Sequence, residues 1–526
     1  MKRTNTPSFL ALALVAFCSS LFLATGISAK PTSPQQASKT LKSNLGKSRA
    51  SSVSLSAAGG AASAVVISPD GLVLSAAHIF QGKKNDKPVK LTFPDGTQAE
   101  AKLLGYNVQT DFALLKITTK SKNPWPHCEL AKTAPKMGEY CYTLAHPAGQ
   151  IKNRPAQLRI GRIISHGKLR GKANLISADC NIQPGDSGGP LFSLDGKLIG
   201  INSTAASVIG FNLFPAIDQY HLDKAKLLRG KQWGDVKLSP ANPDSYKVTM
   251  DKKTVAKLQA EFMRRVKAKH PATMAFIRTK KVTNGELKLT AQEMASHLPQ
   301  ESILFAKGQE VGLGLDDPAI TSQLPKPPKA QQLIISGNKV VGRGFAVSKQ
   351  YIVAKMSMLK DVKQPLLYHE KKGYPMQMVA KVDSWDLALY QIKTRLPLDI
   401  IDWEKTKINV APGDVLVAQR ASGQTVWNVA ADARRPITKK ISLGPISNQN
   451  IISKQRAPYP RAISTGMELF AQDAGTLIYD ANGKFVGMYQ ARLSRSLGYI
   501  VSASDLKMIS EKMLAAQKAK KQPAKK

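Results

Sequence analysis

Three residue types that together hydrolyse acyl groups lie in the first half of the chain. His78 follows the apolar run GLVLSAA, Asp111 opens the run DFALLKI, and Ser187 lies at the centre of GDSGGP. A serine hydroxyl is a poor nucleophile until a neutral imidazole accepts its proton. The imidazole in turn needs a carboxylate that fixes its tautomer and stabilises the imidazolium. The order His, Asp, Ser is a known chain order of this triad and predicts acyl transfer on Ser187.

The sequence around each residue suits its predicted role. A single histidine after a strand, or a single aspartate at a strand start, is usually structural. The three together, in this order and beside a glycine-rich turn, favour the catalytic interpretation. The glycines after Ser187 permit a strained turn that exposes the hydroxyl. The N–H groups of Gly185 and Ser187 are then the expected donors to an oxyanion.

Residues 50–222, called the first copy below, resemble a trypsin-like (chymotrypsin-fold) serine protease of the HtrA/Deg type. The matching stretches are VVISPDGLVLSAAHIF, TDFALLKI, PGDSGGPLFSLDGKLIGINST and VIGFNLF. The resemblance implies a double β-barrel with the active site between the barrels, endopeptidase activity and polypeptide substrates. Two features depart from the Deg pattern. Asp186 stands where asparagine is more usual, and no PDZ module follows.

The substrate pocket is predicted from the same resemblance. Trypsin-like enzymes that cleave after basic residues carry a carboxylate six positions before the serine, and here that residue is Asn181. Ile209 and Phe211 of VIGFNLF are the expected wall residues, as in the apolar pocket of the Deg type. We therefore expect cleavage after aliphatic or small apolar residues.

The second half of the chain repeats the pattern of the first. VGRGFAVSKQYIVAKMSML, DSWDLALYQIK and FAQDAGTLIYDANGKFVGMY align in order with the segments that carry the triad. Ser357 takes the histidine position and Ala474 the serine position, whereas Asp386 remains. Residues 326–510, called the second copy below, are thus predicted to be an inactive double barrel. Its predicted role is binding, or support of the first copy. The predicted fold is mainly β, with two tandem trypsin-like double β-barrel domains.

The remaining segments have distinct compositions. Residues 1–29 read as a signal peptide, with an uncleaved anchor as the alternative, and predict a periplasmic or extracellular location. Residues 30–49 are predicted to be a disordered linker, and 511–526 a basic tail. Residues 223–325 are predicted to be a partly helical linker. Its segment TVAKLQAEFMRRVKAKH has helical spacing and either packs on a neighbour or lies on a membrane.

Composition limits the partners. The formal net charge of +40 favours anionic envelope polymers or acidic proteins, or reflects only a generally basic surface. Nucleic acid is an unlikely partner because basic residues are dispersed and only 6% of residues are aromatic. The sequence does not specify an oligomeric state. The alternative function is a non-catalytic peptide-binding or envelope-associated scaffold.

Three cysteines follow the predicted signal: Cys128, Cys141 and Cys180. They permit one disulfide and one free thiol, and Cys128 with Cys141 is the closest pair along the chain. The sequence leaves open whether any pair is bonded. No Cys/His spacing resembles a zinc site, and no metal or cofactor is predicted.

Overall fold

The computed structural model describes most of the two predicted copies. The described residues are 32–57, 60–82, 88–147, 149, 155–169, 173–205, 212–234, 248–249, 282–283, 286–289, 314–315, 317–326, 330–337, 339–420, 423–435, 462–469, 473–494 and 496–521. The predicted signal peptide and the segment TVAKLQAEFMRRVKAKH lie outside them. The chain divides into two compact units. The larger comprises Ser33–Lys237 and Gly312–Lys526, and the smaller comprises Met1–Thr32 and Leu238–Val311.

Helix α1 (Pro34–Ser51) replaces the predicted disordered linker, so that prediction is wrong. Ser33 caps the helix by accepting a hydrogen bond from the N–H of Gln36, and Pro34 occupies the first turn. Ala37, Leu41 and Leu45 recur every four residues, lie on one face and are buried. Packing of this narrow apolar face therefore stabilises a helix whose sequence is otherwise polar.

The first barrel of the first copy consists of six antiparallel strands. They are β1 (Ser52–Ala57), β2 (Gly60–Val66), β3 (Leu72–Ala76), β4 (Val89–Thr92), β5 (Gln98–Asn107) and β6 (Phe112–Ile117). The strand order β5-β4-β1-β2-β3-β6 closes through pairing of β5 with β6. Alternate side chains of β5 are buried, as expected for a strand with one face toward the core.

The second barrel of the first copy uses the next seven strands. They are β7 (Tyr140–Ala145), β8 (Gln157–Leu169), β9 (Ala173–Ala178), β10 (Pro190–Ser193), β11 (Leu198–Ile201), β12 (Thr204–Ala205) and β13 (Asn212–Pro215). Their order is β11-β10-β7-β8-β9-β13-β12, and a bridge joins Gly200 of β11 to Ala216, which directly follows β13.

The first copy continues past its predicted end at residue 222. That boundary lies inside helix α2 (Ile217–Leu228), whose Tyr220 and Leu227 are buried. Strand β14 (Gln232–Trp233) follows and pairs in parallel with β5. The predicted boundary is therefore about twelve residues too early. In the smaller unit, β17 (Glu286–Leu289) pairs with β15 (Val248–Thr249) and with β16 (Val282–Thr283).

The second copy is preceded by a short helix, α3 (Pro318–Thr321). Its first closed barrel contains β18 (Gln331–Ser336), β19 (Lys339–Ala346), β20 (Tyr351–Lys355), β21 (Leu366–His369), β22 (Lys372–Val382) and β23 (Leu387–Ile392), with helix α4 (Met356–Leu359) after β20. Its second closed barrel contains β24 (Val415–Gln419), β25 (Thr425–Arg435), β26 (Ala462–Thr465), β27 (Leu477–Asp480), β28 (Phe485–Ser494) and β29 (Leu497–Ser502). Both barrels repeat the strand order of the first copy, which confirms the predicted mainly β architecture of tandem double barrels.

Helix α5 (Ala503–Lys521) ends the described chain. Its Leu506, Ile509 and Met513 are buried against the second copy. The helix therefore extends through the predicted basic tail as far as residue 521 and buries Met513 within it. Among the helices that the structure describes, none has both the length and the apolar character needed to cross a membrane.

One hydrophobic cluster contains buried residues of both copies. Trp427 and Val429 of β25 belong to the same buried cluster as Tyr140 and Ile160 of the first copy. The indole of Trp427 lies edge-on to the Tyr140 ring, with 5.8 Å between ring centroids. Its Nε1–H donates to the carbonyl of Leu315 at 2.9 Å. The copies are thus joined by core packing as well as by the chain.

Candidate active site

His78 and Asp111 are held together by the ends of two paired strands. His78 lies in a single 3-10 turn, Ala77–Ile79, directly after β3, and Asp111 directly precedes β6. Asp111 adopts a left-handed conformation, with φ of 58°. Its carbonyl accepts from the N–H of Ala77, and its Oδ1 accepts from the N–H of His78 at 2.9 Å. These bonds from the backbone N–H groups of Ala77 and His78 hold Asp111 beside the imidazole.

The three predicted triad side chains lie within hydrogen-bonding distance. Nδ1 of His78 is 2.9 Å from Oδ2 of Asp111, and Nε2 is 3.0 Å from Oγ of Ser187. The aspartate side chain is 2% exposed, whereas the histidine side chain is 40% exposed. A buried carboxylate behind a solvent-accessible imidazole is the arrangement that general-base activation of a serine requires.

A glycine-rich turn presents Ser187. Gly188 has φ of 81°, and a Cβ atom there would lie 2.1 Å from Oγ of Ser75. Only glycine fits this close approach to β3. Gly185 has φ of 93°, which turns the chain before the serine. Within the described part of the chain, the N–H groups of Gly185 and Ser187 donate to no other protein atom, so both are available for an oxyanion.

Two further serines contact the predicted triad: Ser63, which no motif marks, and Ser203, which lies in the stretch PGDSGGPLFSLDGKLIGINST but has no predicted role. Ser63 donates its N–H to the carbonyl of Ser187 and its hydroxyl to the carbonyl of Gly185, both at 2.9 Å. Ser203 donates its hydroxyl to Oδ2 of Asp111 at 2.5 Å. Ser63 thereby fixes the nucleophile's turn from the first barrel, and Ser203 orients the carboxylate from the second.

The residue before Ser187 forms a buried ion pair. Asp186 and Arg159 each have a side chain that is 1% exposed. Arg159 binds both carboxylate oxygens, with Nη2 at 3.0 Å from Oδ1, and donates from Nη1 to the carbonyl of Asn181 at 2.8 Å. Arg159 lies in β8, 28 positions before the serine in a stretch without a motif, so sequence reasoning missed it.

The structure describes one of the three predicted pocket residues. Asn181 is buried, and its Oδ1 accepts from Nδ2 of Asn212 at 3.4 Å. Its Nδ2 lies 3.3 Å from Oε1 of Glu468, a residue of the second copy. Ile209 and Phe211 lie outside the described residues. The contact with Glu468 shows that the second copy reaches the base of the predicted pocket.

The second copy reproduces the backbone of the site with different side chains. Asp386 is left-handed like Asp111, with φ of 52°, and accepts from the N–H of Ser357 at 2.8 Å. The Ser357 hydroxyl donates to its other oxygen at 2.8 Å. Ala474 is buried where Ser187 stands in the first copy. The described second site therefore contains neither an imidazole nor a nucleophile at the matching positions.

Two buried basic residues lie near the matching positions of the second copy. Lys355 occupies the place of an alanine in the first copy and donates to the carbonyl of Gln490 at 2.7 Å. Its Nζ is 3.7 Å from Oδ2 of Asp386. Burial lowers the pKa of Lys355 to about 8 and raises the pKa of Asp386. Arg343 is also buried and donates to Oγ1 of Thr476 at 2.9 Å.

The three cysteines are buried free thiols. The nearest pair in space is Cys141 and Cys180, whose Sγ atoms are 3.7 Å apart, rather than the pair Cys128 and Cys141 that is closest in sequence. Strand β7 carries Cys141, and Cys180 follows β9, so barrel closure brings them together. Burial raises the pKa of Cys128 to about 12, which makes its thiol unreactive.

Comparison with known proteins assigns the region that carries these contacts. Residues 62–201 match the trypsin-like peptidase domain family. The chain is 32% identical over 155 residues to a probable periplasmic serine endoprotease DegP-like of Rickettsia conorii, covering 29% of this chain and 30% of that protein. It is 34% identical over 140 residues to the serine protease Do-like HtrA of Bacillus subtilis, covering 25% of this chain and 29% of that protein.

A solved serine endoprotease from Yersinia pestis matches with 24% identity and a TM-score of 0.31, over 38% of this chain and 68% of that one. The sequence matches span about three tenths of the length of the curated relatives. The family match, over residues 62–201, falls on the first copy. Residues 62–201 are therefore a trypsin-like peptidase domain related to the DegP/HtrA-type serine proteases.

Proposed function

We propose that this protein is an exported serine endopeptidase that hydrolyses polypeptides through an acyl-enzyme on Ser187. The observation that carries the proposal is the continuous hydrogen-bonded chain from Asp111 through His78 to the Ser187 hydroxyl. Each member of that chain has the exposure its role needs. The carboxylate is buried, and the imidazole faces the solvent from which substrate arrives.

In the first half of the reaction, Oγ of Ser187 attacks the scissile carbonyl while Nε2 of His78 accepts its proton. The buried carboxylate of Asp111 stabilises the imidazolium, and Ser203 holds that carboxylate in place. The N–H groups of Gly185 and Ser187 stabilise the tetrahedral oxyanion. The imidazolium then protonates the leaving amine, and the peptide C–N bond breaks to leave the acyl-enzyme.

In the second half, a water molecule takes the place of the leaving amine. His78 accepts a proton from this water, which attacks the acyl carbonyl. The same two N–H groups stabilise the second tetrahedral intermediate. Its collapse returns the proton to Oγ of Ser187 and releases the carboxylic acid product.

The second copy is proposed to be catalytically silent and to support the first. Ala474 cannot attack a carbonyl, and Ser357 donates to Asp386 where an imidazole would be needed. Removal of triad members lowers kcat by about a million-fold in related hydrolases. Shared packing around Trp427 supports a structural role.

Export and a periplasmic or extracellular location are also proposed, supported by the similarity to a probable periplasmic protein of Rickettsia conorii. The preference for aliphatic or small apolar residues before the scissile bond is retained as a proposal, since Asn181 supplies no charge. Binding of anionic envelope polymers or acidic proteins stays a prediction from the net charge.

A fluorophosphonate probe tests the proposed activity, because it reacts only with an activated serine. We expect covalent labelling and peptide hydrolysis in the wild type, and loss of both in Ser187→Ala and His78→Ala. Ser357→Ala is the matched control, since it removes a hydroxyl beside the equivalent aspartate of the second copy. It should label at the wild-type rate.

An unlabelled wild type that unfolds cooperatively would favour the scaffold function instead. The double variant Ser187→Ala with Ala474→Ser tests the silent copy. It should remain unlabelled because no imidazole accompanies the new hydroxyl. Labelling at residue 474 would overturn the proposed silence of the second copy.

A further inference from the structure

The carboxylate of Asp186 is a buried charge beside the proposed nucleophile, and the triad does not account for it. Asp186 immediately precedes Ser187, and its side chain is 1% exposed. Burying a carboxylate is strongly unfavourable unless it is paired and hydrogen-bonded. Arg159 provides a two-point pair, and the N–H of Gln183 donates to Oδ2 at 2.8 Å. The carboxylate is thus fixed from two sides.

The backbone of Asp186 also defines the turn that carries the nucleophile. Its N–H donates to the carbonyl of Gln183 at 3.0 Å, and its carbonyl accepts from the N–H of Gly189 at 2.9 Å. Asn202 donates to the same carbonyl through Nδ2 at 3.1 Å. The turn between Gln183 and Gly189 is called the oxyanion turn below. Hydrogen bonds of Asp186 therefore stabilise its conformation. Any shift of its carboxylate moves the two N–H groups that face the substrate.

Arg159 ties the oxyanion turn to the base of the pocket. The same Nη1 that binds Asp186 donates to the carbonyl of Asn181 at 2.8 Å. A planar guanidinium presents its donors in a fixed fork and so sets both the distance and the angle between its partners. Pocket base and oxyanion turn are consequently held at one separation by a single side chain.

The second copy lies against Arg159. Gly466 lies so near that a Cβ atom there would be 3.0 Å from Cγ of Arg159 and 3.6 Å from its Cβ. Two positions further on, Glu468 contacts Asn181, to which Arg159 is hydrogen-bonded. The second copy therefore contacts the stem of Arg159 through Gly466 and its hydrogen-bond partner Asn181 through Glu468.

We infer that Arg159 is the positioning residue of the oxyanion turn, and that the second copy supplies the surface that keeps Arg159 in place. The inference rests on the proposed peptidase activity and gives the silent copy a specific task. Arg159 touches no reacting atom. It acts through Asp186 on the N–H groups of Gly185 and Ser187.

The second copy offers a matched control pair. Asp473 occupies the position of Asp186 and is 1% exposed, and Arg420, 2% exposed, lies 3.8 Å away through Nε. This arginine follows β24, whereas Arg159 lies within β8, so the two copies pair the equivalent carboxylate from different strands. Arg420→Met removes a comparable buried cation in a site without a nucleophile.

The test compares kcat, KM and the fluorophosphonate labelling rate in the full chain, well below each variant's unfolding temperature. Arg159→Met should lower kcat and the labelling rate about a hundredfold with little change in KM, because misplaced donors lose transition-state stabilisation. The double variant Arg159→Met with Asp186→Asn should recover at least tenfold, because no buried charge is left unpaired. Arg420→Met should lower the unfolding temperature yet label within twofold of the wild type.

A second variant isolates the contribution of the second copy. Gly466→Val places a branched side chain against the arginine stem and should lower the labelling rate about tenfold in folded protein. If Arg159→Met does not fold, Arg159→Lys carries the same test, because lysine keeps the charge and loses the fork.

The possible failures are distinguishable. An unlabelled wild type would refute the proposed activity itself. A labelled wild type with equally fast labelling of folded Arg159→Met or Arg159→Lys would refute the positioning role. Normal labelling of Gly466→Val would refute the part assigned to the second copy.

Discussion

Ser63 and Ser203 connect the triad to both barrels of the first copy. Ser63 lies in β2 and binds the oxyanion turn by two hydrogen bonds. Ser203 follows β11 and binds Asp111. The nucleophile is thus held from one barrel and the carboxylate from the other, which makes the triad geometry depend on the contact between barrels.

Ser203→Ala should lower kcat about tenfold with little change in KM. A hydroxyl that donates to a carboxylate stabilises it by about 1.5–3 kcal/mol, and its loss lets Asp111 reorient away from His78. Ser193→Ala is the control, because Ser193 makes a bond of the same length to Asp195 on the surface. Equal kcat in wild type and Ser203→Ala would contradict the orienting role.

Helix α1 links the two copies at the level of elements. On the first copy, Ser48 Oγ lies 2.7 Å from Tyr142 Oη, and Asn44 donates to the carbonyl of Leu194 at 3.1 Å. On the second copy, Ser38 donates to the carbonyl of Gly413 at 2.7 Å, and Lys42 pairs with Asp414. Helix α1 therefore binds both copies and holds them together.

Leu41→Ala should lower the free energy of unfolding by about 3 kcal/mol, because Leu41 is fully buried and the cavity cannot be refilled by solvent. Lys39→Ala, on the exposed face of the same helix, should change it by less than about 0.5 kcal/mol. Denaturant titration measures both. Similar midpoints for the two variants would mean that α1 is not docked in solution.

The triad residues and helix α1 differ in how well the sequence alone predicts them. His78, Asp111 and Ser187 stand in rare local patterns, and the family resemblance that these patterns carry implies the double barrels. Ser63, Ser203 and Arg159 act through contacts distant along the chain, and their residue types are common in any role. The apolar face of α1 comprises few residues, so its helix becomes evident only once the surfaces that bury it are assembled.

At the scale of the whole molecule, the shared core predicts that the two copies unfold together. Trp427→Phe removes the hydrogen bond to Leu315 and part of the packing on Tyr140. Two denaturant midpoints should fall by the same amount in this variant. One is the midpoint for loss of Ser187 labelling, and the other is the midpoint for loss of hydrogen-exchange protection in β28. Labelling that persists after β28 has lost protection would show that the first copy is independently stable.

The contacts that join the copies also fix when the site can be completed during synthesis. Ser38 and Gly413 are 375 positions apart, and Asn181 and Glu468 are 287 apart. At about 5–20 residues per second, a ribosome needs roughly 15–60 s to make the stretch between Asn181 and Glu468. A nascent chain carries the nucleophile for that interval without the segment that contacts its arginine support. Translation order alone therefore postpones the contact between Asn181 and Glu468 until most of the chain has been made.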